Sequence, residues 1–172
     1  MRTSIFPLFC LGMAFLSCTK QSDVILFRMN FDQVIQVPGG LNTVETYSFL
    51  LRDLQTNYKN YLSANNLKDS DVRAIKCGSI LISDDIGLFS FGNVEKTSIL
   101  FSKDGFNTEK EIAYHDIIPF STGSSLQLIP DLTDIKDIMS GDKFGFIWKL
   151  KLRGFLTAAS NMRFRMVLVA VQ

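Results

Sequence analysis

Period-two alternation of apolar and charged side chains is the feature that most constrains how this chain can fold. Residues 144–152 place apolar side chains at every second position, with Lys149 and Lys151 between them. Residues 162–170 repeat the arrangement around Arg163. Because successive side chains of a strand point to opposite faces, each segment predicts a β-strand that is packed on one face and hydrated on the other.

Six further segments carry weaker versions of this pattern and predict additional strands. They cover residues 27–37, 46–51, 72–83, 97–102, 111–118 and 126–128. Gly78 lies where the apolar parity of one segment changes, which predicts a β-bulge. Asp104-Gly105 suits a reversal that needs positive φ, so the two strands beside it are predicted to form a hairpin.

Two short helices are predicted between the strands. The first, over residues 53–64, rests on apolar side chains that recur every three or four positions, the spacing of one helical face: Leu54, Tyr58, Tyr61 and Leu62. In the second, Asp131 is predicted to cap the helix, Asp134 to lie near its positive end and Gly141 to close it.

Together these segments predict a mainly β chain with about eight short strands. No strand-helix-strand rhythm is present, which argues against a parallel sheet. We therefore expect an antiparallel two-sheet β-sandwich, immunoglobulin-like in outline, with two short helices. A closed barrel remains an alternative at this stage.

The first residues, MRTSIFPLFCLGMAFLS, have the character of an export signal. Arg2 precedes an apolar segment of about twelve residues, which is shorter than the roughly 20 needed to span a membrane. Ser17, a small residue, stands at its end. We interpret residues 1–17 as a secretory signal peptide; an uncleaved anchor and a buried first strand are the alternatives.

Cys18 follows this segment directly, and Leu16-Ser17-Cys18 resembles the lipobox of bacterial lipoprotein precursors. Phe15 stands where that pattern favours Leu. The resemblance implies that Cys18 receives a diacylglycerol and becomes the new amino terminus, because the chain is cut before it. Thr19, in place of the Asp that signals inner-membrane retention, favours the outer membrane.

The resemblance thus implies a lipid-anchored protein of the cell envelope. Residues 18–23 would form a lipidated tether, and residues 24–172 a single domain. The domain's architecture is similar to that of small uncharacterised envelope lipoproteins, although no motif within it carries that similarity.

Charge and cysteine content restrict the partners and the stabilising bonds. The chain has 18 Lys and Arg against 17 Asp and Glu, and removal of Arg2 leaves equal numbers. Such a balance gives no support for nucleic acid as a partner, which requires a basic surface. With Cys10 removed and Cys18 lipidated, Cys77 would have no disulfide partner.

Candidate catalytic and ligating residues are few. His115 is the only histidine, so it cannot build a multi-histidine metal site or a complete nucleophile-base set by itself. The remaining acidic and aromatic candidates are better explained by turns, helix caps and core packing: Asp84, Asp85, Asp131, Asp134, Asp137, Tyr58, Tyr61 and Trp148. Cys77 has no activating histidine nearby in sequence and is interpreted as a small buried residue. We therefore assign no catalytic, cofactor-binding or metal site, and no cofactor.

The function expected from the sequence is a non-catalytic binding or structural role at the cell envelope. Its partners would be the membrane, through the lipid anchor, and a protein or glycan of the envelope. A module that binds a glycan or an apolar small molecule is the alternative. An envelope hydrolase is less favoured, because no acid-base pair can be located in the sequence.

Overall fold

The computed structural model describes residues 23–103 and 108–172 of the chain. Nine strands and two short α-helices account for most of this part. The strands are β1 (Ile25–Val37), β2 (Thr46–Gln55), β3 (Ala74–Asp84), β4 (Val94–Ser102), β5 (Glu109–His115), β6 (Ser125–Gln127), β7 (Ile129–Pro130), β8 (Lys143–Leu152) and β9 (Ser160–Val171). The helices are α1 (Tyr58–Ala64) and α2 (Lys136–Met139), and Asp69–Asp71 and Phe91–Asn93 form 3₁₀ turns.

The strands form two antiparallel sheets, which confirms the predicted mainly β, two-sheet sandwich. One sheet has four strands in the order β1-β9-β3-β6, and the other has five in the order β2-β8-β4-β5-β7. Strands β6 and β7 are consecutive pieces of one extended segment, the first pairing with β3 and the second with β5.

The strand order differs from the immunoglobulin-like outline. In an immunoglobulin domain the first two strands lie in the same sheet, whereas here β1, β2, β3 and β4 alternate between the two sheets. The order β1-β9-β3-β6 facing β2-β8-β4-β5 is that of a jelly roll, a double Greek key. The alternation of apolar residues specifies two packed sheets but not the order in which the strands join them.

Aromatic side chains from the two sheets meet in the core. Phe164 of β9 contacts the rings of Phe146 and Trp148 of β8, with centroids 5.3 and 5.0 Å apart. All three side chains are buried. The alternating positions that predicted strands in the last third of the chain therefore form the centre of the interface between the sheets.

The two helices are shorter than predicted. Helix α1 begins at Tyr58 and not at residue 53, because Leu54 belongs to β2, where it pairs with Phe144 after a bulge. Asp53 adopts a positive φ of 57° at that bulge. The spacing that predicted one helical face thus combined Leu54, which lies in a strand, with three residues of the helix: Tyr58, Tyr61 and Leu62.

Helix α2 begins at Lys136, so Asp131 lies too far upstream to cap it, contrary to prediction. Asp134 instead accepts hydrogen bonds at Oδ1 from the amides of Ile75 and Lys136, at 3.0 and 2.9 Å. Its carboxylate therefore joins the start of the helix to β3.

Two local predictions are confirmed. The pairing of β3 with β9 shifts between Cys77 and Ser79, which places a bulge at Gly78. Strands β4 and β5 pair antiparallel as a hairpin, although its turn at Asp104-Gly105 lies outside the described residues. Within those residues, no helix has the length and apolar character needed to cross a membrane.

Thr97 holds the single tryptophan in the core and provides a test of the interface. Its hydroxyl accepts from Trp148 Nε1 at 2.7 Å and donates to the carbonyl of Lys149 at 2.8 Å. Replacement of Thr97 by Val leaves the buried indole N–H of Trp148 without this partner, and we expect a loss of about 1–3 kcal/mol in the free energy of unfolding. Urea titration followed by tryptophan fluorescence measures it. Thr97→Ser keeps the hydroxyl, so an equal loss in that variant would contradict this role.

Candidate functional site

The sandwich has two distinct ends. Strand β1 begins next to the end of β9, where Ile25 pairs with Val171, and finishes beside Ser160. At that second end, here called the loop end, four loops connect the two sheets: residues 38–45, 85–93, 116–124 and 153–159. The described chain therefore starts at the end opposite these loops, here called the amino-terminal end.

Backbone hydrogen bonds join the four loops in two pairs. Gly40 donates to the carbonyl of Leu156 at 2.7 Å, which ties the first loop to the fourth. Phe91 donates to the carbonyl of Gly123 at 2.8 Å, which ties the second to the third. Arg153 connects the pairs, because its amide donates to the carbonyl of Asn93 at 2.9 Å. The loop end is thus a fixed surface built on the two sheets.

Large apolar side chains protrude from this fixed surface. Each of the four loops contributes at least one that is more than half exposed: Val44, Ile86, Leu88, Ile117, Phe120 and Phe155. Phe120 lies 4.3 Å from the guanidinium carbon of Arg153. Apolar groups held outward by an ordered backbone are typical of surfaces that contact a partner.

Asp84 shapes the loop that carries Ile86 and Leu88. Its carboxylate is buried and accepts from the amide of Phe89 at 2.7 Å and from that of Ile86 at 3.3 Å. Burial alone would raise the pKa of this carboxyl, but the donated hydrogen bonds, including one from the Ser160 hydroxyl, hold the pKa below its usual value. Asp84 therefore has a structural role in the turn, as the sequence suggested.

A depression of about 240 Å³ lies on the outer face of the five-stranded sheet, close to the loop end. Three lysines line it, together with hydroxyl-bearing and acidic residues: Lys96, Lys149, Lys151, Thr46, Thr97, Ser98, Glu111 and Asp116. We call it the lysine pocket. In the sequence, the alternation pattern places Lys149 and Lys151 on the hydrated face of a strand but does not indicate a pocket.

Strand pairing creates the lysine pocket. Lys96 of β4 lies directly opposite Lys151 of β8, and Thr46 of β2 lies opposite Lys151 on its other side. Like charges at directly opposed positions disfavour the sheet, and among the described residues no ion pair neutralises Lys96. Lys151 donates to the carbonyl of Val44 at 2.6 Å, and Lys149 pairs with Glu109 at 3.3 Å. The sequence could not reveal this cluster, because Lys96 joins it only through the order of the strands.

His115 and Asp116 lie at the end of β5 and do not form a catalytic pair. His115 is opposite Thr97, and its Nδ1 is buried without a hydrogen-bond partner in the described part of the chain. Asp116 is exposed and lines the lysine pocket.

The other sequence candidates are separated from each other. Asp137 pairs with Lys110 at 2.7 Å, and Asp85 pairs with Arg163 at 2.9 Å. Cys77 is buried as predicted, and this burial raises the pKa of its thiol to about 12, with a smaller contribution from the charge of Asp131. Within residues 23–103 and 108–172, no three His, Cys, Asp or Glu side chains are arranged to hold a metal ion.

The predicted aromatic pair on α1 packs against β1. The ring of Tyr61 stacks on Phe27, with centroids 5.8 Å apart, and Tyr58 is buried beside it. The Tyr58 hydroxyl donates to Asp69 at 2.8 Å, which fixes the turn that follows the helix.

The predicted lipid-attachment residue, Cys18, and the predicted signal peptide over residues 1–17 lie outside the described residues. The first described residue, Asp23, forms ion pairs with Arg73 and Lys76 of the same end of the sandwich, the latter at 2.7 Å. These partners, Lys76 first, hold the pKa of the Asp23 carboxyl below its usual value. These ion pairs attach Asp23 to β3 through Lys76, and to the residue just before β3 through Arg73.

No protein-family model matches this chain, and no curated protein matches it. Three solved structures that align with it are those of desmodium yellow mottle tymovirus, Cocksfoot mottle virus and Turnip Yellow Mosaic Virus, each with a TM-score of 0.26. Sequence identities are 8%, 9% and 6%, with 99%, 99% and 85% of this chain covered and 96%, 95% and 94% of the other. Alignments at this level carry no argument about function.

The Asp84 turn predicts a specific pH dependence. Because the pKa of Asp84 is lower in the folded than in the unfolded chain, its stabilisation is present above the unfolded value and is lost as the pH falls through the folded one. Asp84→Asn should lower the free energy of unfolding at neutral pH by about 1–3 kcal/mol and should reduce its decline below about pH 4. Urea titrations at several pH values measure both. Asp85→Asn is the control, because Asp85 is exposed and its ion pair with Arg163 lies at the surface, where such pairs contribute little. Equal losses in the two variants would contradict the role of Asp84.

Proposed function

We propose that this protein is a lipid-anchored cell-envelope domain with a non-catalytic binding role, attached through Cys18 and contacting its partner with the loop end. The observation that carries the proposal is the placement of Asp23 at the end of the sandwich opposite the four loops. A chain that leaves toward a membrane from Asp23 keeps the loop end free to meet a partner.

Tether length and anchoring strength support this arrangement. Five residue steps separate Cys18 from Asp23, and an extended chain covers at most about 3.3–3.6 Å per residue. Two or more acyl chains hold a soluble domain on a membrane almost permanently, since each buried methylene contributes about 0.8 kcal/mol. The domain would therefore stand close to the bilayer with its exposed apolar loop residues directed away from it.

Lipid labelling of the full precursor in a bacterial host tests the anchor. We expect the wild type to incorporate labelled fatty acid and to accumulate as a larger, still lipid-labelled precursor when lipoprotein signal peptidase is inhibited. Cys18→Ala should take up no label, because the acceptor thiol is gone. Phe15→Leu restores the favoured lipobox residue and should increase the processed fraction.

A wild-type chain that takes up no lipid would refute the anchor. Equal labelling of the wild type and Cys18→Ala would show that another residue is acylated, and it would refute the role of Cys18.

The lysine pocket favours a second candidate function, the binding of an acidic sugar. Its volume is below the roughly 300–1,000 Å³ of typical small-molecule pockets, so it fits one sugar unit or one acidic group of a larger glycan. Ammonium groups would pair with the acid, while Thr46 and Ser98 offer hydroxyls to the ring. The carboxylates of Glu111 and Asp116 disfavour ligands with dense negative charge.

Binding of the full chain to an array of acidic and neutral glycans tests this second function. We expect Lys96→Ala and Lys151→Ala each to weaken binding of an acidic glycan about tenfold, equivalent to about 1.4 kcal/mol. Lys143→Ala, on the same strand as Lys151 but at its other end, is the matched control and should leave binding unchanged. Binding that is insensitive to Lys96 and Lys151 would exclude the pocket as the glycan site.

A further inference from the structure

The most exposed apolar side chains of the domain are concentrated at the loop end. In the described part of the chain, seven large apolar side chains are 63% exposed or more. Six of them belong to the four loops, and we call these the apolar tips: Val44, Ile86, Leu88, Ile117, Phe120 and Phe155. The seventh is Leu132, in the segment between β7 and α2. A cluster of this kind marks a site of contact with a protein or a membrane.

The backbone at the apolar tips is hydrogen-bonded within the domain. The amide of Val44 donates to Oδ1 of Asn42 at 2.9 Å, and the amide of Ile86 donates to the carboxylate of Asp84 at 3.3 Å. A backbone group that is already paired loses little when water is removed from it. These tips can therefore enter an apolar environment at low cost.

The composition of the loops favours a lipid surface over a protein. The residues that dominate protein interfaces are enriched in Trp, Tyr and Arg and fill fitted pockets. None of the four loops contains Trp or Tyr. Arg153, the arginine of these loops, already donates to the carbonyl of Ile118 at 2.6 Å and lies 4.3 Å from the ring of Phe120. A bilayer needs no matching pocket, because fluid acyl chains adapt to apolar groups of any shape.

Charges of both signs surround the apolar tips in nearly equal number. The exposed carboxylates in the loops and in the three residues on either side of them are those of Glu45, Asp85, Glu95 and Asp116. The cations in the same segments are Lys96, Lys151 and Arg153. Asp85 is paired with Arg163 of β9 at 2.9 Å, which leaves three charges of each sign. We call these charged groups the rim.

Two cations of the rim are held directly behind apolar tips. Lys151 Nζ donates to the carbonyl of Val44 at 2.6 Å, and Arg153 donates to the carbonyl of the residue that follows Ile117. In a phospholipid bilayer the phosphates lie just outside the acyl chains, and in a zwitterionic lipid each phosphate is accompanied by a cationic group. A tip that reaches the acyl boundary therefore brings a rim cation to the level of the phosphates, while the rim carboxylates meet the cationic groups.

We propose that the apolar tips insert into the headgroup region of a zwitterionic phospholipid bilayer, so that the loop end is a membrane-docking surface. Docking of this kind is driven by the apolar area that leaves water. Because the rim carries no net charge, docking needs no anionic lipid and depends little on salt, unlike docking through polybasic segments.

This inference rests on the loop end as the contact surface of the proposed function, but not on lipid attachment at Cys18. If the chain is also anchored there, the domain connects two bilayers. Strand β1 has 13 residues, which span about 40 Å at roughly 3.3 Å per residue. The five residue steps from Cys18 to Asp23 cover at most about 18 Å, so an upright domain keeps the tips away from the bilayer that holds the anchor.

A fluorophore at one tip tests the insertion. The full chain with Cys10→Ala and Ile117→Cys is labelled with an environment-sensitive dye, which does not reach the buried Cys77. It is reconstituted into phosphatidylcholine vesicles, and acceptor vesicles of phosphatidylcholine and phosphatidylethanolamine, with nitroxides on their acyl chains, are added. We expect the emission to shift to the blue and to be quenched by the acceptor lipid.

Leu132 supplies the matched control, because it is 78% exposed, close to the 82% of Ile117, but lies outside the four loops. The dye on Leu132→Cys should neither shift nor be quenched. The parent chain with Cys10→Ala, treated in parallel, measures any dye on other thiols.

Removal of a second tip tests whether the tips act together. Phe155→Ser in the Ile117→Cys chain should weaken docking about tenfold, equivalent to about 1.4 kcal/mol, whereas Leu132→Ser should leave it unchanged. Docking should persist in about 1 M salt, where the Debye length is about 3 Å.

An unquenched dye on Ile117→Cys, or equal quenching on Leu132→Cys, would overturn the proposal. Docking that requires anionic lipid and is lost in high salt would also overturn it, because charge and not apolar insertion would then hold the loop end. The dye reports the tips however the chain is held in the first vesicles, so these outcomes are independent of lipid labelling at Cys18. A blue shift before the acceptor vesicles are added would support insertion of the tips but refute their orientation away from the anchoring bilayer.

Discussion

The contact of Phe164 with Phe146 and Trp148 is the interaction on which the rest of the structure depends. It joins β9 of one sheet to β8 of the other, and each of these strands has neighbours on both sides. Large aromatic rings exclude water over a wide area, which is the main favourable contribution to folding in a chain with its one described cysteine free. The four loops and the lysine pocket keep their positions because they are attached to strands that this contact holds face to face.

Much of the fold could be predicted from the sequence, because a strand with one buried face requires apolar and polar side chains to alternate along it. Residues 143–152 and 160–171 have one buried face along nearly their whole length, so their pattern was clear. The strand order was not predictable, since β1 and β2 alternate alike whether they join one sheet or two. The helix at residues 53–64 was predicted too long for a related reason. Leu54 has the right spacing, but its side chain is turned inward by the bulge at Asp53.

The residues of the candidate site could likewise be predicted only where they lie close together in the sequence. Asp84 and Asp85 were recognised as turn residues because the motif that contains them is local. Lys96 and Lys151 are far apart in sequence and become neighbours only through the β4–β8 pairing, which no local pattern encodes. His115 and Cys77 were given no role because a catalytic set would need partners that local sequence did not provide, and this stays a prediction. The proposed lipid attachment is of the opposite kind, because Cys18 was identified from local sequence alone, and only the placement of Asp23 opposite the loops comes from the fold.

The fastening of the chain at Asp23 also has a mechanical consequence. In the proposed anchored arrangement, a pull on the chain before Asp23 while the loop end is held would act along the direction of β1. Strand β1 pairs with β9 from Ile25 to Val37, so such a load shears the whole ladder at once and does not peel it open one hydrogen bond at a time. The ion pairs of Asp23 with Arg73 and Lys76 pass part of that load to the neighbouring strand. Under the proposed anchoring, the β1–β9 ladder would therefore resist tension between the two ends of the sandwich.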